Sequence, residues 1–254
     1  MDLETYLENK KRREARERDL LESYRVTCSR CLRPENICLC PSIKSFDTRA
    51  RFLILMHPKE ARKEKNNTGR LTFLHLKNSR LLFGVNFSHK RGLLEELKRP
   101  HLVPFVLYPG PNAADIKNIR FKEILAPHQA PLIILIDGTW NQARKIMKLS
   151  RNIQALPRVS IIPPERSRFI IKKQPAEYCL STIESAFFFL EEWQRQGMEN
   201  LNGQHRGMVR VFEKMVKYQL KKSREASLSG YRRSVPRNSN ITQIRRPSRF
   251  PFFR

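Results

Sequence analysis

The sequence predicts an α/β protein built on a mostly parallel sheet with flanking helices. Two observations carry this. Leu132 to Ile136 is an unbroken run of five apolar residues, which suits a central strand covered on both faces. Strand-like and helix-like segments also alternate along the chain, the pattern of parallel strands joined by crossover helices. At 254 residues the chain is long enough for one such core with small appendages.

The elements follow in order. Residues 1–24 hold a helix (2–23) of interleaved charges with sparse apolar points. Residues 27–41 form a compact cysteine-rich loop. RFLILM (51–56) reads as a strand ending at His57-Pro58, and PKEARKEKNNTG as a polar loop. Thr68 is the expected N-cap of a helix carrying Leu71, Leu74 and His75. Strands are expected at 80–85, 102–109 (weakened by Pro104), 132–136, 158–162 and 168–172. Helices are expected over 92–98, over NQARKIMKLS, from Thr182 to Trp193 and over about 205–221. The main domain is thus 25–222. The tail, 223–254, carries eight Arg, no Lys and one Glu without periodicity, and reads as disordered when free. Its Arg residues interleave with Tyr231, Phe250, Phe252 and Phe253, a mixture that binds phosphates and stacks on bases, or else is simply solvated.

Fifty Lys and Arg against 24 Asp and Glu leave a formal charge of +26. A field of that sign attracts polyanions, nucleic acid before any other. No segment reaches the roughly 18 apolar residues of a membrane span, and the N-terminus is too charged for a signal peptide. The expected location is the cytoplasm, where disulfides are rare.

Four of the five cysteines fall in one short loop, as Cys28-x2-Cys31-x6-Cys38-x-Cys40. Four thiolates at this spacing suit a closed, structural zinc site, a small knuckle with no position left for substrate. Cys179 reads as an ordinary buried thiol.

The second constellation is Asp137-Gly138-Thr139-Trp140, at the junction of the strongest strand and the next helix. Ligands of open α/β sheets gather at the carboxyl ends of strands, where Asp137 would face the cleft. Gly138 permits close backbone approach, Thr139 can cap the helix, and Trp140 offers a flat face to a base or a sulfonium. The residues alone equally allow an Asx turn and a core tryptophan.

Other segments add support to the cleft reading. The chain resembles the DTW-domain family of tRNA-uridine aminocarboxypropyltransferases. The resemblance rests on IDGTWNQARKIMKLS, on HPKEARKEKNNTGRL (57–71), on Cys28 to Cys40 with Arg33-Pro34, on SRFIIKKQP (167–175) and on LSTIESA (180–186), in family order. Departures include Lys63 for Arg, Phe169 for Tyr and Lys172 for Arg.

The resemblance implies a SPOUT-like fold with a knotted cofactor region. It also implies transfer of the 3-amino-3-carboxypropyl group of S-adenosylmethionine to N3 of a tRNA uridine, with methylthioadenosine released. N3 must lose its proton. Asp137 is the candidate base, or else a cofactor anchor, and a dry cleft would raise its pKa. Trp140 would wall the sulfonium. Arg70 and Lys172 are candidates for the migrating carboxylate, and Glu184 for the ammonium, although an acid in a helix's first turn is favoured there anyway. Asn67, Thr68, Ser181 and Thr182 would line the same cleft. Cations across 59–70, 144–151, 165–173 and 206–224 would meet tRNA phosphates. Two other readings fit subsets of these residues: a SPOUT-type RNA methyltransferase, and a non-enzymatic zinc-stabilised RNA-binding protein. Nothing in the sequence points to a protein partner, and monomer and homodimer both suit it.

Overall fold

A computed structural model of the chain describes residues 3–23, 26–63, 66–171 and 179–228. Contacts divide the chain into two compact units, Met1–Pro41 and Ser42–Arg254. The first holds helix α1 (Leu3–Ser23) and the cysteine loop.

In the second unit the order is β1 (Arg51–Met56), α2 (Pro58–Lys63), α3 (Thr68–His75), β2 (Ser79–Phe83), α4 (Arg91–Leu97), β3 (Leu102–Leu107), β4 (Ala113–Asp115), α5 (Phe121–Ile124), β5 (Ala130–Asp137), α6 (Trp140–Leu149), α7 (Arg151–Gln154), β6 (Arg158–Ser160), α8 (Thr182–Arg195) and α9 (Arg206–Leu228). The six strands form one sheet in the order β2-β1-β5-β3-β6-β4. Every pairing is parallel. The central position of β5 explains its uninterrupted apolar run, since both faces are covered.

Side chains alternate across the sheet with period two. Leu53, Leu55, Leu132 and Ile134 join Leu93 of α4 and Ile146 and Met147 of α6 in one core layer. On the other face Phe52 meets Phe189 of α8 edge to face at 5.7 Å, and Phe105 meets Phe121 at 5.8 Å. Asp137 shares the parity of Ile133 and Leu135, so it emerges on the α8 side. Pro104 is tolerated because β6 pairs with β3 only at Val106 and Leu107, which leaves β3 with one neighbour at position 104.

Several expectations are corrected. The loop after His57 contains α2, a short helix begun by Pro at its first position with Glu60 in the first turn. Asn67, not Thr68, caps α3: Asn67 has extended backbone and its side chain accepts from the Arg70 amide at 2.6 Å. Residues 168–171 are not a strand. There Glu184 takes the Arg168 amide, and Phe169 packs on Phe212 of α9 at 5.4 Å. The three-residue strand β4 was not foreseen, because Ala-Ala-Asp has no strand preference and exists as one only by pairing with β6. Helix α9 runs to Leu228, past the expected end near 221 and into the segment read as tail. The disorder expected for the remainder, 229–254, falls outside the described residues.

Candidate active site

The site forms where the chain leaves the sheet in opposite directions. After β1 it passes through α2 and α3 to β2; after β5 it passes through α6 and α7 to β6, on the other side of the sheet. Ligand crevices form at such switch points. Met56 and Asp137, the last residues of the two strands, are register partners, and the His57 amide donates to the Asp137 carbonyl at 2.9 Å.

An open cleft with roughly 200 Å³ of accessible space lies here. Asp137, Gly138, Thr139 and Trp140 all line it. So do Thr68 at the start of α3, and Ser181 and Thr182 at the start of α8. Three helices therefore begin at this cleft. Their N-terminal amides and dipoles give it a positive bias that suits anionic groups.

Asp137 is 3 % exposed. Its Oδ2 accepts from Asn67 Nδ2 at 2.7 Å and its Oδ1 from the Thr182 hydroxyl at 2.5 Å. The Asn67 orientation is unambiguous, because its Oδ1 is already committed to the Arg70 amide. Gly69 lies against the Asp137 carboxylate: a Cβ there would sit 2.5 Å from Asp137 Cγ and 2.6 Å from Oδ1. The first turn of α3 needs glycine because the acid occupies the space of a side chain.

Thr139 caps α6 in a capping box with Gln142, whose side chain accepts from the Thr139 amide at 2.8 Å. A Cβ on Gly138 would meet Gln142 at 3.0 Å, so this turn too is tightly packed. Trp140 is half-buried on the cleft wall, 6.3 Å from the Tyr108 ring and tilted at 52° to it. Tyr108 itself lines the cleft from the end of β3, and burial pushes its phenol above the ordinary value while Arg144 and Arg158 partly offset this. His57 is buried and held below the ordinary imidazole range by that burial and by Lys59 and Lys145. Phe169 closes another wall.

The remaining expected residues divide. Asn67 stands behind Asp137 and does not line the cleft. Arg70 is half-buried and also outside the lining. Lys172 lies outside the described residues. Glu184 is not at the cleft surface: one oxygen accepts from Ser181 N at 2.9 Å, Ser181 Oγ at 2.6 Å and Ser167 Oγ at 2.7 Å, the other from the Arg168 amide at 2.7 Å. It fastens residues 167–168 to the start of α8.

One cleft acid was not proposed from sequence. Glu60, in the first turn of α2, is 5 % exposed and lines the cleft. Its signal was present in the block HPKEARKEKNNTGRL, but the segment was read as loop, so nothing aimed its side chain.

In the N-terminal unit the four cysteine sulfurs lie within 4.8 Å of one another. Cys28 and Cys40 are 3.7 Å apart, as are Cys31 and Cys38. A tetrahedral zinc with Zn–S bonds of about 2.3 Å needs sulfurs about 3.8 Å apart, so the donor set fits the ion. Leu32 adopts a left-handed φ of 56° to close the first turn, with its amide on Cys28 O at 2.9 Å. The amides of Cys31 and Arg30 point at the Cys28 sulfur and lower its thiol to about 6, while burial pushes Cys40 up to about 12.

Fold and site define a class: an α/β domain with a cleft at the switch point of a parallel sheet, walled by an acid and an indole, in a chain that also has four clustered cysteines able to hold a metal. Within that class the chain belongs to the DTW-domain family, whose DTW domain model matches residues 25–220. It is 30 % identical over 203 residues to a tRNA-uridine aminocarboxypropyltransferase 2 of Drosophila melanogaster, covering 77 % of this chain and 76 % of that protein. It is 28 % identical over 208 residues to the protein of that name in Macaca fascicularis (81 % and 67 % covered), and 26 % identical over 221 residues to tRNA-uridine aminocarboxypropyltransferase A of Arabidopsis thaliana (78 % and 82 % covered). No solved structure matches the chain significantly. Among the described residues no helix is long and apolar enough to cross a membrane.

Proposed function

We propose that the protein transfers the 3-amino-3-carboxypropyl group of S-adenosylmethionine to N3 of a uridine in tRNA and releases methylthioadenosine. The observation that carries this reading is the meeting of Asp137 and Trp140 on one cleft at a switch point. The printed names of the relatives support the same reading.

S-adenosylmethionine would supply the electrophile, a γ-carbon made reactive by the sulfonium. The protein's own residues do the rest. Asp137 takes the N3 proton; the N3 electron pair then forms the bond to the γ-carbon as the C–S pair returns to sulfur. Asp137 works through placement, because Asn67 and Thr182 fix the plane of its carboxylate. Trp140 walls the cationic centre. Glu60, which lines the cleft as Glu184 does not, is the candidate partner of the migrating ammonium. The convergent starts of α3, α6 and α8 favour the migrating carboxylate. Cys28, Cys31, Cys38 and Cys40 would hold a structural zinc.

The test is incubation of the full chain with tRNA and S-adenosylmethionine, followed by nucleoside mass spectrometry and analysis of the small product. Modified uridine with methylthioadenosine supports the reading. S-adenosylhomocysteine would make the protein a methyltransferase, and tRNA binding without gain of mass would make it a binding protein.

A further inference from the structure

Two of the helices that start at the cleft are capped in the same way but with different residues. At α6 the cap is Thr139, and Gln142 accepts its amide through one oxygen at 2.8 Å. A capping box asks for no more than one acceptor, which is why glutamine and glutamate both serve in it. At α8 the cap is Ser181 and the residue three positions on is Glu184. Glu184 is 5 % exposed, and both of its oxygens are engaged. Oε2 accepts from the Ser181 amide at 2.9 Å, and Oε1 accepts from the Arg168 amide at 2.7 Å. A backbone amide can only donate, so two of them on two different oxygens require two acceptors. Glutamine offers one. The start of α8 therefore needs a carboxylate for a reason outside helix capping: the second oxygen holds the chain at residue 168.

Both ends of this tie lie at the cleft. Ser167 Oγ donates to Glu184 Oε2 at 2.7 Å and accepts from the Phe169 amide at 3.1 Å, so one hydroxyl stands between the acid and Phe169. Phe169 lines the cleft and its ring rests on Phe212 of α9, while the Arg168 guanidinium pairs with Glu213 of the same helix. At the other end Ser181 and Thr182 line the cleft, and Thr182 carries the bond to Asp137. Glu184 itself does not line the cleft.

On the reading that the cleft takes S-adenosylmethionine, we infer that Glu184 is a positioning residue for the reaction. Through Ser167 it sets the Phe169 wall, and through the start of α8 it sets Thr182 and with it Asp137. The first arm governs how tightly the cofactor is gripped, and the second governs how the acid is aimed.

The test uses the full chain. Calorimetry measures S-adenosylmethionine affinity, and single-turnover assays with tRNA at saturating S-adenosylmethionine measure the rate. Glu184→Gln should weaken S-adenosylmethionine binding about tenfold and slow the saturated rate about tenfold, because one buried amide is left facing a donor. The two losses should follow different partners. Phe169→Ala weakens S-adenosylmethionine binding, and Glu184→Gln added to it should weaken binding no further, within about twofold. Thr182→Val slows the saturated rate, and Glu184→Gln added to it should slow that rate no further. Effects that instead multiply overturn the inference, since sites that act independently add in free energy. A Glu184→Gln protein that melts at a lower temperature, yet keeps parent-like affinity and rate well below its melting range, also overturns it, for then the acid only caps a helix. If circular dichroism shows Glu184→Gln to be unfolded, Ser167→Ala carries the test of the Phe169 arm. It spares Glu184 and the bond to the Ser181 amide, and should weaken S-adenosylmethionine binding roughly threefold or more. Parent-like affinity in Ser167→Ala overturns the inference. A parent chain that binds no S-adenosylmethionine removes the functional reading itself, a different failure seen before any variant is made.

Discussion

The Thr182 hydroxyl at the start of α8 donates to Asp137 Oδ1 at 2.5 Å, across 45 residues of sequence. This bond joins the two halves of the site, since one group ends the central strand and the other begins the helix packed across it. Thr182→Val should keep the shape and remove the donor. Loss of one partner from a buried polar group costs about 1–3 kcal/mol. The expected result is a fall in kcat of about 10- to 100-fold with little change in tRNA affinity. Asp137→Asn should abolish product while tRNA still binds. Single-turnover assays beside anisotropy check both, and turnover by Asp137→Asn would remove the acid from the chemistry.

Gly69→Ala tests how tightly the acid is seated. The new methyl would sit 2.5–2.8 Å from the Asp137 carboxyl atoms, closer than any Cβ tolerates. Either the acid or the first turn of α3 must move. A displacement near 1 Å at a catalytic group costs on the order of 100-fold in rate, and overpacking costs about 1–3 kcal/mol of stability. Kinetics together with a denaturant melt measure the two losses separately. Unchanged kinetics would show that Asp137 can be re-sited freely.

Much of this was legible in the sequence, for definable reasons. The run Leu132–Ile136 is apolar on both faces because β5 is central, so strand, switch point and Asp137 came together from one segment. Thr139 and Thr182 were placed because helix starts have a chemical signature. Glu60 and Glu184 could not be aimed from sequence for one reason: each is an acid in a helix's first turn, and sequence spacing does not say which way such an acid turns. Glu184 turns back onto Ser181 and the 167–168 segment, and Glu60 turns into the cleft. Tyr108 was hidden because it follows an ordinary strand, with no motif around it.

Glu60→Gln should therefore act on cofactor binding before chemistry. If the acid pairs with the migrating ammonium, its loss removes one charge-assisted bond worth about 1.5–3 kcal/mol. The KM for S-adenosylmethionine should rise by about 10- to 150-fold, with affinity for methylthioadenosine, which lacks that ammonium, unchanged. Calorimetry with both molecules decides the matter. An equal loss for both would make Glu60 a structural group.

Removal of metal should act on the N-terminal unit. The sulfurs of Cys28, Cys31, Cys38 and Cys40 already have tetrahedral spacing, so one zinc per chain is expected by elemental analysis. Cys31→Ser should lose that zinc, and chelation should lower the melting temperature of the parent but not of the variant. A parent chain purified without metal, and indifferent to added zinc, would leave the four thiols as plain reduced cysteines.

Acid stability should depend on Glu96, which anchors α4 beneath the sheet. Its side chain is fully buried, and Arg51 at the start of β1 grips it with two bonds of 2.5 and 2.7 Å, while Arg80 and Arg99 approach from outside. Burial alone would raise this carboxyl, but the guanidinium of Arg51 outweighs it and leaves the group below the ordinary value. A depressed folded-state value means that the unfolded chain binds the proton more readily. The pair's contribution is thus complete above the unfolded carboxyl range, near pH 4.5, and fades as pH falls through the lower folded value. Glu96→Gln leaves Arg51 without its counter-charge and should cost about 3–5 kcal/mol at neutral pH. The difference between parent and variant should shrink toward pH 3. Urea melts of both proteins from pH 7 to pH 3 measure this, and a pH-independent difference would mean that the loss is one of packing, not charge.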